Sequence, residues 1–340
     1  MTLFLVFPFL LSIFIYFNHR YLSLLLNIFD EPGLPRKLHL NKTPLIGGSY
    51  FLIFFTLNFL ACYIFANDDL IFFNTTKEIF SFFFSLTVVF LIGLFDDKYD
   101  LSANNKLFLI LIVLIVAILI NHNLAIDSLR LSFLKEEYIL NKNLSVLFTS
   151  FCIMLFINAF NMIDGVNGNS ILYSINIFLF FLIKDINFIL ILMILINLIF
   201  LFFMNLANKL FLGDSGTLSI SLIISFFFIN SYNQEHIQNV ETIFIIMLIP
   251  GIELLRLAIF RLINGHHPFK ADRYHLHHYL LKKFNSSKIF IITNTIYAIP
   301  FFLSLAFKNE IYSILLSTFL YFFLIYYLSN LKDMKSKSFK

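Results

Sequence analysis

GLFDDKYDLSANNKLFLILIVLIVAILI (93–120) places an acidic, amide-rich stretch directly against an unbroken apolar run. The run LFLILIVLIVAILI (107–120) contains no charge and no alternation of polar and apolar positions. Backbone N–H and C=O groups in lipid find no partner outside their own segment, so such a run is read as a membrane helix. A membrane β-barrel would instead show short alternating segments. The same pattern recurs outward in both directions, beginning with TLFLVFPFLLSIFIYF (2–17). That first run has no small-residue cleavage site after it and is read as a retained helix.

Composition agrees. Of 340 residues 59% are hydrophobic and 13% charged, with 48 phenylalanines and no tryptophan. A soluble domain carries about 25% charged residues. Cys62 and Cys152 lie within apolar runs without CxxC spacing, and act as small hydrophobes rather than disulfide partners. The net charge of +4 is spread over loops, which suits a membrane surface and not nucleic acid.

Apolar stretches fall at 2–22, 49–66, 79–95, 107–121, 144–160, 170–184, 186–205, 217–231, 242–262, 289–306 and 311–329. The expected fold is therefore an all-α polytopic membrane protein of eleven transmembrane helices in one domain, 1–340. Lys184-Asp185 must make a tight turn. Odd-numbered loops and the tail hold Arg36, Lys37, Lys42, Lys98, Lys106, Lys209, Lys270, Arg273, Lys282, Lys283, Lys332, Lys335, Lys337 and Lys340. Even-numbered loops hold Lys77, Arg130, Lys135, Lys142, Lys184 and Lys308. The positive-inside rule then puts the odd loops and C-terminus in the cytoplasm and the N-terminus outside.

Every polar constellation lies in an odd loop: 30–48, 96–106, 158–169, 205–216 and 263–287. One cytoplasmic site built from five loops is expected. In the third loop, Asp96, Asp97 and Asp100 follow an apolar run. Paired carboxylates there suit Mg²⁺ binding or proton acceptance, against the plainer reading of a solvated helix end. Lys106, ten residues after Asp96, could meet a phosphate. In NAFNMIDGVNG (158–168), Asn158, Asn161, Asp164 and Asn167 recur every three residues and would share one face of a fraying helix end. The alternative is an Asn/Gly helix cap. GDSG (213–216) precedes an apolar run, so Asp214 stands either as a metal-holding acid beside a helix N-terminus or as an N-cap. HHPFKADRYHLHH (266–278) admits zinc, phosphate or solvated-loop readings. Arg261, Lys270 and Arg273 alongside would repel a dication, and Arg with His suits an anionic oxygen ligand. Together the loops offer oxygen ligands for Mg²⁺ and cations for phosphate, an inventory for phosphoryl transfer to a lipid.

The markers DEPGLPRKLH…PLIGG, GLFDDKYD, NAFNMIDGVNG, FLGDSGTL and RLINGHHPFKADRYHLHH, in this order from Asp30 to His278, resemble the polyprenyl-phosphate N-acetylhexosamine-1-phosphate transferases, a glycosyltransferase 4 type. The last marker is similar to the branch acting on UDP-N-acetylglucosamine, whose loop reads P-F-x-x-D-R-x-H-x-H-H. The resemblance implies transfer of GlcNAc-1-phosphate from a UDP-sugar to undecaprenyl phosphate, releasing UMP, with Mg²⁺ or Mn²⁺ required. It implies that Asp96 deprotonates or orients the lipid phosphate, that Asp97 supports it electrostatically and that Lys106 contacts phosphate. Asn161 and Asp214 would coordinate the metal, Asp214 also serving catalysis. Gly165 and Asn167 would lie near uracil, and Arg273, His275, His277 and His278 would bind the diphosphate and sugar side. Position 167 is Asn where relatives commonly carry Asp. Asp164, His266 and His267 receive no role. The setting implied is the bacterial inner membrane and the product a lipid-linked cell-envelope glycan such as the O-antigen of lipopolysaccharide; a homodimer is the assembly considered. Other readings are the same chemistry on UDP-GalNAc, a bacillosamine- or fucosamine-type donor or UDP-MurNAc-pentapeptide, and, from another class, a transporter.

Overall fold

The computed structural model describes residues 2–30, 42–65, 73, 75–268, 274–284, 286–307 and 310–330. Among them are eleven long helices, α1 (Thr2–Leu26), α2 (Gly47–Phe65), α3 (Thr76–Tyr99), α4 (Ala103–Ile120), α5 (Lys142–Ile163), α6 (Asn169–Ile183), α7 (Phe188–Leu206), α8 (Gly213–Asn233), α9 (Val240–Ile263), α11 (Ser286–Ala306) and α12 (Glu310–Asn330). A short helix, α10 (Leu276–Leu281), precedes α11. A 3-10 turn (His122–Leu124) and two small antiparallel ribbons complete the described elements, β1 (Phe29–Asp30) with β2 (Thr43–Pro44) and β3 (Ser128–Leu129) with β4 (Tyr138–Ile139). Each apolar stretch became a helix. Nine of these helices are long and apolar enough to cross a membrane, while Asn169–Ile183 and Lys288–Ser304 are shorter apolar segments. The protein is a multi-pass, all-helical membrane protein.

The bundle is organised around α8. Every residue from Ser215 to Tyr232 is buried, with α2, α3 and α5 packed around it. The sequence explains this placement. Small residues let helices approach closely where lipid supplies no hydrophobic drive between them. Three of its serines bond back within the helix, Ser219 Oγ donating to Ser215 O at 2.7 Å, Ser221 Oγ to Thr217 O at 2.7 Å and Ser225 Oγ to Ser221 O at 2.8 Å. Glycines set the contacts. A Cβ added at Gly48 would lie 2.3 Å from Gly216 N, and one at Gly93 would lie 2.5 Å from Ser215 Cα. Only glycine admits such backbone approach.

Pro250 removes one N–H from the interior of α9. The carbonyl of Ile246, four residues earlier, accepts instead from Tyr173 OH at 2.5 Å. The connection from α3 to α4 is short because both ends are capped. Asp100 takes the left-handed conformation (φ 54°) and donates its N–H to Asp96 O at 2.9 Å, and Ser102 Oγ accepts from Asn105 N at 3.3 Å. The expected tight turn at Lys184-Asp185 is present, with Asp185 and Asn187 at positive φ.

Candidate active site

At the end of the bundle formed by the odd-numbered connections, α3, α4, α5 and α8 bring four polar side chains into one chain of contacts. Lys106 Nζ, in the first turns of α4, lies 2.6 Å from Asp96 Oδ2 and 2.6 Å from Asp214 Oδ2. The other oxygen of Asp214 accepts from Asn161 Nδ2 at 2.9 Å, and Asn161 also donates to Thr217 Oγ1 at 2.8 Å. Asp96 is held from behind by Leu101 N–H, 2.7 Å from its Oδ1. Residues distant in sequence thus share one ammonium. These are the positions expected of catalytic acids, a phosphate-contacting lysine and metal ligands.

Asp97 points elsewhere, and its role is legible from geometry. Its two oxygens accept the N–H groups of Asp214 (2.6 Å) and Ser215 (3.0 Å), in the first turn of α8. The residue at the N-cap position, Leu212, makes no side-chain cap bond, so Asp97 caps α8 from another helix. Gly213 (φ +70°) makes room for this, since a Cβ there would lie 2.7 Å from Asp97 Oδ2. One expectation is corrected here. GDSG does not precede the helix but forms its first turn. The anion at that N-terminus is the protein's own carboxylate, because Asp97 occupies the N–H groups first.

The residues present fit a magnesium ion in donor chemistry. The donors are oxygen atoms, and two carboxylates, those of Asp96 and Asp214, share the one ammonium of Lys106, leaving excess negative charge. Asp97 is committed to backbone N–H groups, so Asp96, Asp214 and the amide oxygen of Asn161, after a half-turn of the amide, are the residues that could hold it. Among the described residues no three His, Cys, Asp or Glu side chains converge as a metal cage. A Mg²⁺ ion needs none, since it takes one or two carboxylates and completes its shell with water and phosphates.

In the fifth connection the expected shared face of Asn158, Asn161, Asp164 and Asn167 does not form, because α5 ends at Ile163 and the chain turns. Asn161 faces Asp214. Asp164 accepts from Ser170 Oγ, and burial pushes its carboxyl up to about 7. Asn167 Nδ2 donates to Asn208 Oδ1 at 2.7 Å, linking this connection to the seventh. Gly168, at φ 82°, donates its N–H to Asn205 Oδ1 at 2.7 Å. Asn205, Asn208, Ser215 and Thr217 escaped the sequence reading. Asn205 and Asn208 flank the end of an apolar run without a motif to mark them.

The histidine segment packs on the fifth connection. His275, His277 and His278 cluster with ring centroids 4.3–5.9 Å apart. His277 is buried and packs over Gly165, where an added Cβ would lie 2.5 Å from its ring. The fifth and ninth connections therefore meet as expected. Burial, then the neighbouring His278 and His275, hold the His277 ring well below its usual value of 6.5. It is a neutral ring at pH 7, so toward an anion it could act as a hydrogen-bond donor and not as a cation. His266 and His267 belong to the turn after α9, where His266 N–H donates to Arg261 O at 2.8 Å. Arg273, Lys270 and most of the first loop, including Arg36 and Lys37, lie outside the described residues. The part of the first loop that is described joins the seventh, Gly47 N–H donating to Phe211 O at 3.0 Å and Gly48 N–H to Leu212 O at 3.0 Å.

Known proteins resemble this chain over the segment that holds these residues. Residues 79–232, which span Asp96 to Thr217, match the profile of glycosyl transferase family 4. An undecaprenyl-phosphate alpha-N-acetylglucosaminyl 1-phosphate transferase from Yersinia pestis is 27% identical over 311 residues, covering 85% of this chain and 79% of the relative. The protein of the same name from Escherichia coli K12 is 27% identical over 310 residues, covering 83% and 78%. A Bacillus subtilis protein named as a probable undecaprenyl-phosphate N-acetylglucosaminyl 1-phosphate transferase is 28% identical over 315 residues, covering 90% and 84%. The resemblance read from the motifs is thus borne out by these relatives and by the glycosyl transferase family 4 match over residues 79–232.

Proposed function

We propose that this protein transfers GlcNAc-1-phosphate from UDP-GlcNAc to undecaprenyl phosphate, releasing UMP. The observation that carries the reading is the Asp96–Lys106–Asp214–Asn161 chain, which unites three connections at one end of the bundle. Its relatives' names support a polyprenyl-phosphate acceptor and a sugar-phosphate cargo. In the reaction an oxygen of the acceptor phosphate attacks the phosphorus bonded to the sugar, and the bond from that phosphorus to UMP breaks.

The residues divide the work. Asp96, fixed by Leu101 N–H and facing Lys106, orients the acceptor phosphate and takes its proton. Lys106 exchanges a carboxylate for a phosphate oxygen as substrates enter, neutralising charge where it builds up. Asp214 and Asn161 would hold Mg²⁺, which supplies charge neutralisation at the diphosphate. Asp97 keeps the first turn of α8, and so Asp214, in place. Neutral His277 donates toward the donor's phosphates, with His275, His278 and Arg273 as companions, and Gly165 and Asn167 lie toward the uracil.

In the proposed membrane frame eleven apolar helices span, the positive-inside rule puts the N-terminus outside and the site and tail in the cytoplasm, and the family resemblance implies a bacterial inner membrane. The product would begin a lipid-linked envelope glycan. A transporter reading is disfavoured because Asp96, Asp97 and Asp214 stand at helix ends rather than mid-helix, where transporter sites lie. UMP release by purified protein, with undecaprenyl phosphate and Mg²⁺, tests the donor across UDP-GlcNAc, UDP-GalNAc, bacillosamine- and fucosamine-type donors and UDP-MurNAc-pentapeptide. UDP-GlcNAc should give the highest kcat/KM. Preference for another donor would overturn the assignment of the sugar, and release from none would overturn the reaction.

A further inference from the structure

The apolar helix α9 carries an acid that no motif marks. Glu253 is 5% exposed and pairs with Arg256 one turn on, whose Nη2 lies 3.0 Å from each carboxylate oxygen. Tyr321 of α12 donates its hydroxyl to Glu253 Oε2 and accepts from Arg256 Nε at 2.9 Å. The network's remaining bonds leave α9 for the histidine segment. Glu253 Oε1 accepts the N–H of Leu276 at 2.7 Å, and Arg256 Nη2 donates to Tyr274 O at 2.6 Å. The backbone on both sides of His275 is therefore tied to one buried ion pair, and His275 Nδ1 itself lies 4.0 Å from Glu253 Oε1.

Helix α10 has six residues, too few to hold itself. Its N-cap residue, His275, makes no side-chain cap bond. Glu253 supplies that bond from a neighbouring helix. Fixing Leu276 fixes the next residue, His277, over Gly165. A buried ion pair adds little net stability over apolar packing, because desolvation offsets its attraction. Its worth here lies in direction: both partners spend hydrogen bonds on the same short segment.

We propose that Glu253, together with Arg256, is a positioning residue that sets His275 and His277 for the donor's phosphates. The claim rests on the transferase reading for its substrate, but its structural part stands apart from it. The test uses the full chain in detergent, as wild type, Glu253→Gln and Tyr321→Phe. Hydrogen exchange is followed for the 274–281 peptide, and UMP release is measured with each substrate varied. For Glu253→Gln, exchange of 274–281 should rise about tenfold with peptides from α3 and α8 unchanged. KM for UDP-GlcNAc should rise about tenfold, with KM for undecaprenyl phosphate within about twofold of wild type. Combined with His277→Ala, the two donor penalties should fall short of additive, because one acts through the other. Tyr321→Phe should shift the same readings less, and it decides the question if Glu253→Gln does not fold. Unchanged exchange, equal losses for donor and acceptor, or full additivity with His277→Ala would overturn the proposal. Raised exchange in a chain whose wild type releases no UMP from any donor would uphold the anchoring and overturn the transferase reading instead.

Discussion

At the scale of single residues, the two adjacent aspartates divide into different tasks. Asp96 faces an ammonium, while Asp97 spends both oxygens on backbone N–H groups. The sequence offered them as one pair, since adjacent residues on a helix point about 100° apart and only the fold shows what each meets. Asp97→Asn should therefore act through structure. An amide has one acceptor oxygen, so one N–H of α8 loses its partner, at a cost of about 1–3 kcal/mol. A lower Tm with weakened UMP release is expected, and an unchanged Tm would exclude the capping role. His277 gives a pH-dependent signature. Its ring titrates well below 6.5 in the folded protein because of burial, whereas the unfolded chain binds its proton near 6.5. Below that value the unfolded state holds more protons at this ring, so the contribution of His277 to stability should fall as pH drops and stay flat above it, opposite in sign to that of Asp164. Thermal unfolding of wild type and His277→Gln at about pH 7 and pH 5.5 checks the sign: the Tm of wild type relative to the variant should fall at the lower pH.

At the scale of elements, the account turns on how closely α3 and α8 approach. Gly93 stands against the backbone of Ser215, where a Cβ would lie 2.5 Å from Cα. Gly93→Ala should push the helices apart at about 1–3 kcal/mol. Because the shift separates Asp96 from Asp214, activity should fall by about 100-fold, more than the loss of stability alone explains. A variant with normal kcat would show that this contact does not position the site. All eleven long helices were legible because each is an apolar run bounded by polar residues. Their ends were not: α8 begins four residues before its apolar run, since Asp97 caps it from a distance that no local rule reads. Helix α10 was missed because its six residues form only within the Glu253 network. Glu253 and Arg256 themselves were hidden inside the apolar run they interrupt.

At the scale of the whole molecule, charge asymmetry and site placement make the same statement. The polar connections joined by Lys106, Asn167 and His277 all lie at one end, while β3 and β4 lie at the other. Single cysteines at Asn208 and Glu136, both exposed, should report the orientation. A thiol reagent that cannot cross membranes should label Glu136→Cys in intact cells and Asn208→Cys only after permeabilisation. The reverse pattern would invert the topology. The convergence of loops was legible from motif placement, but their partners were not, because spacing along the chain says nothing of which helices pack together. The central claim is that the Lys106-bridged acids perform phosphoryl transfer to a lipid. Its most direct test is UMP release from UDP-GlcNAc and undecaprenyl phosphate by folded, detergent-purified wild type, Asp96→Asn and Asp214→Asn. The account predicts release by wild type and a loss of about 100-fold or more in kcat for each variant, with Tm held close to wild type. Full release by either variant would contradict it.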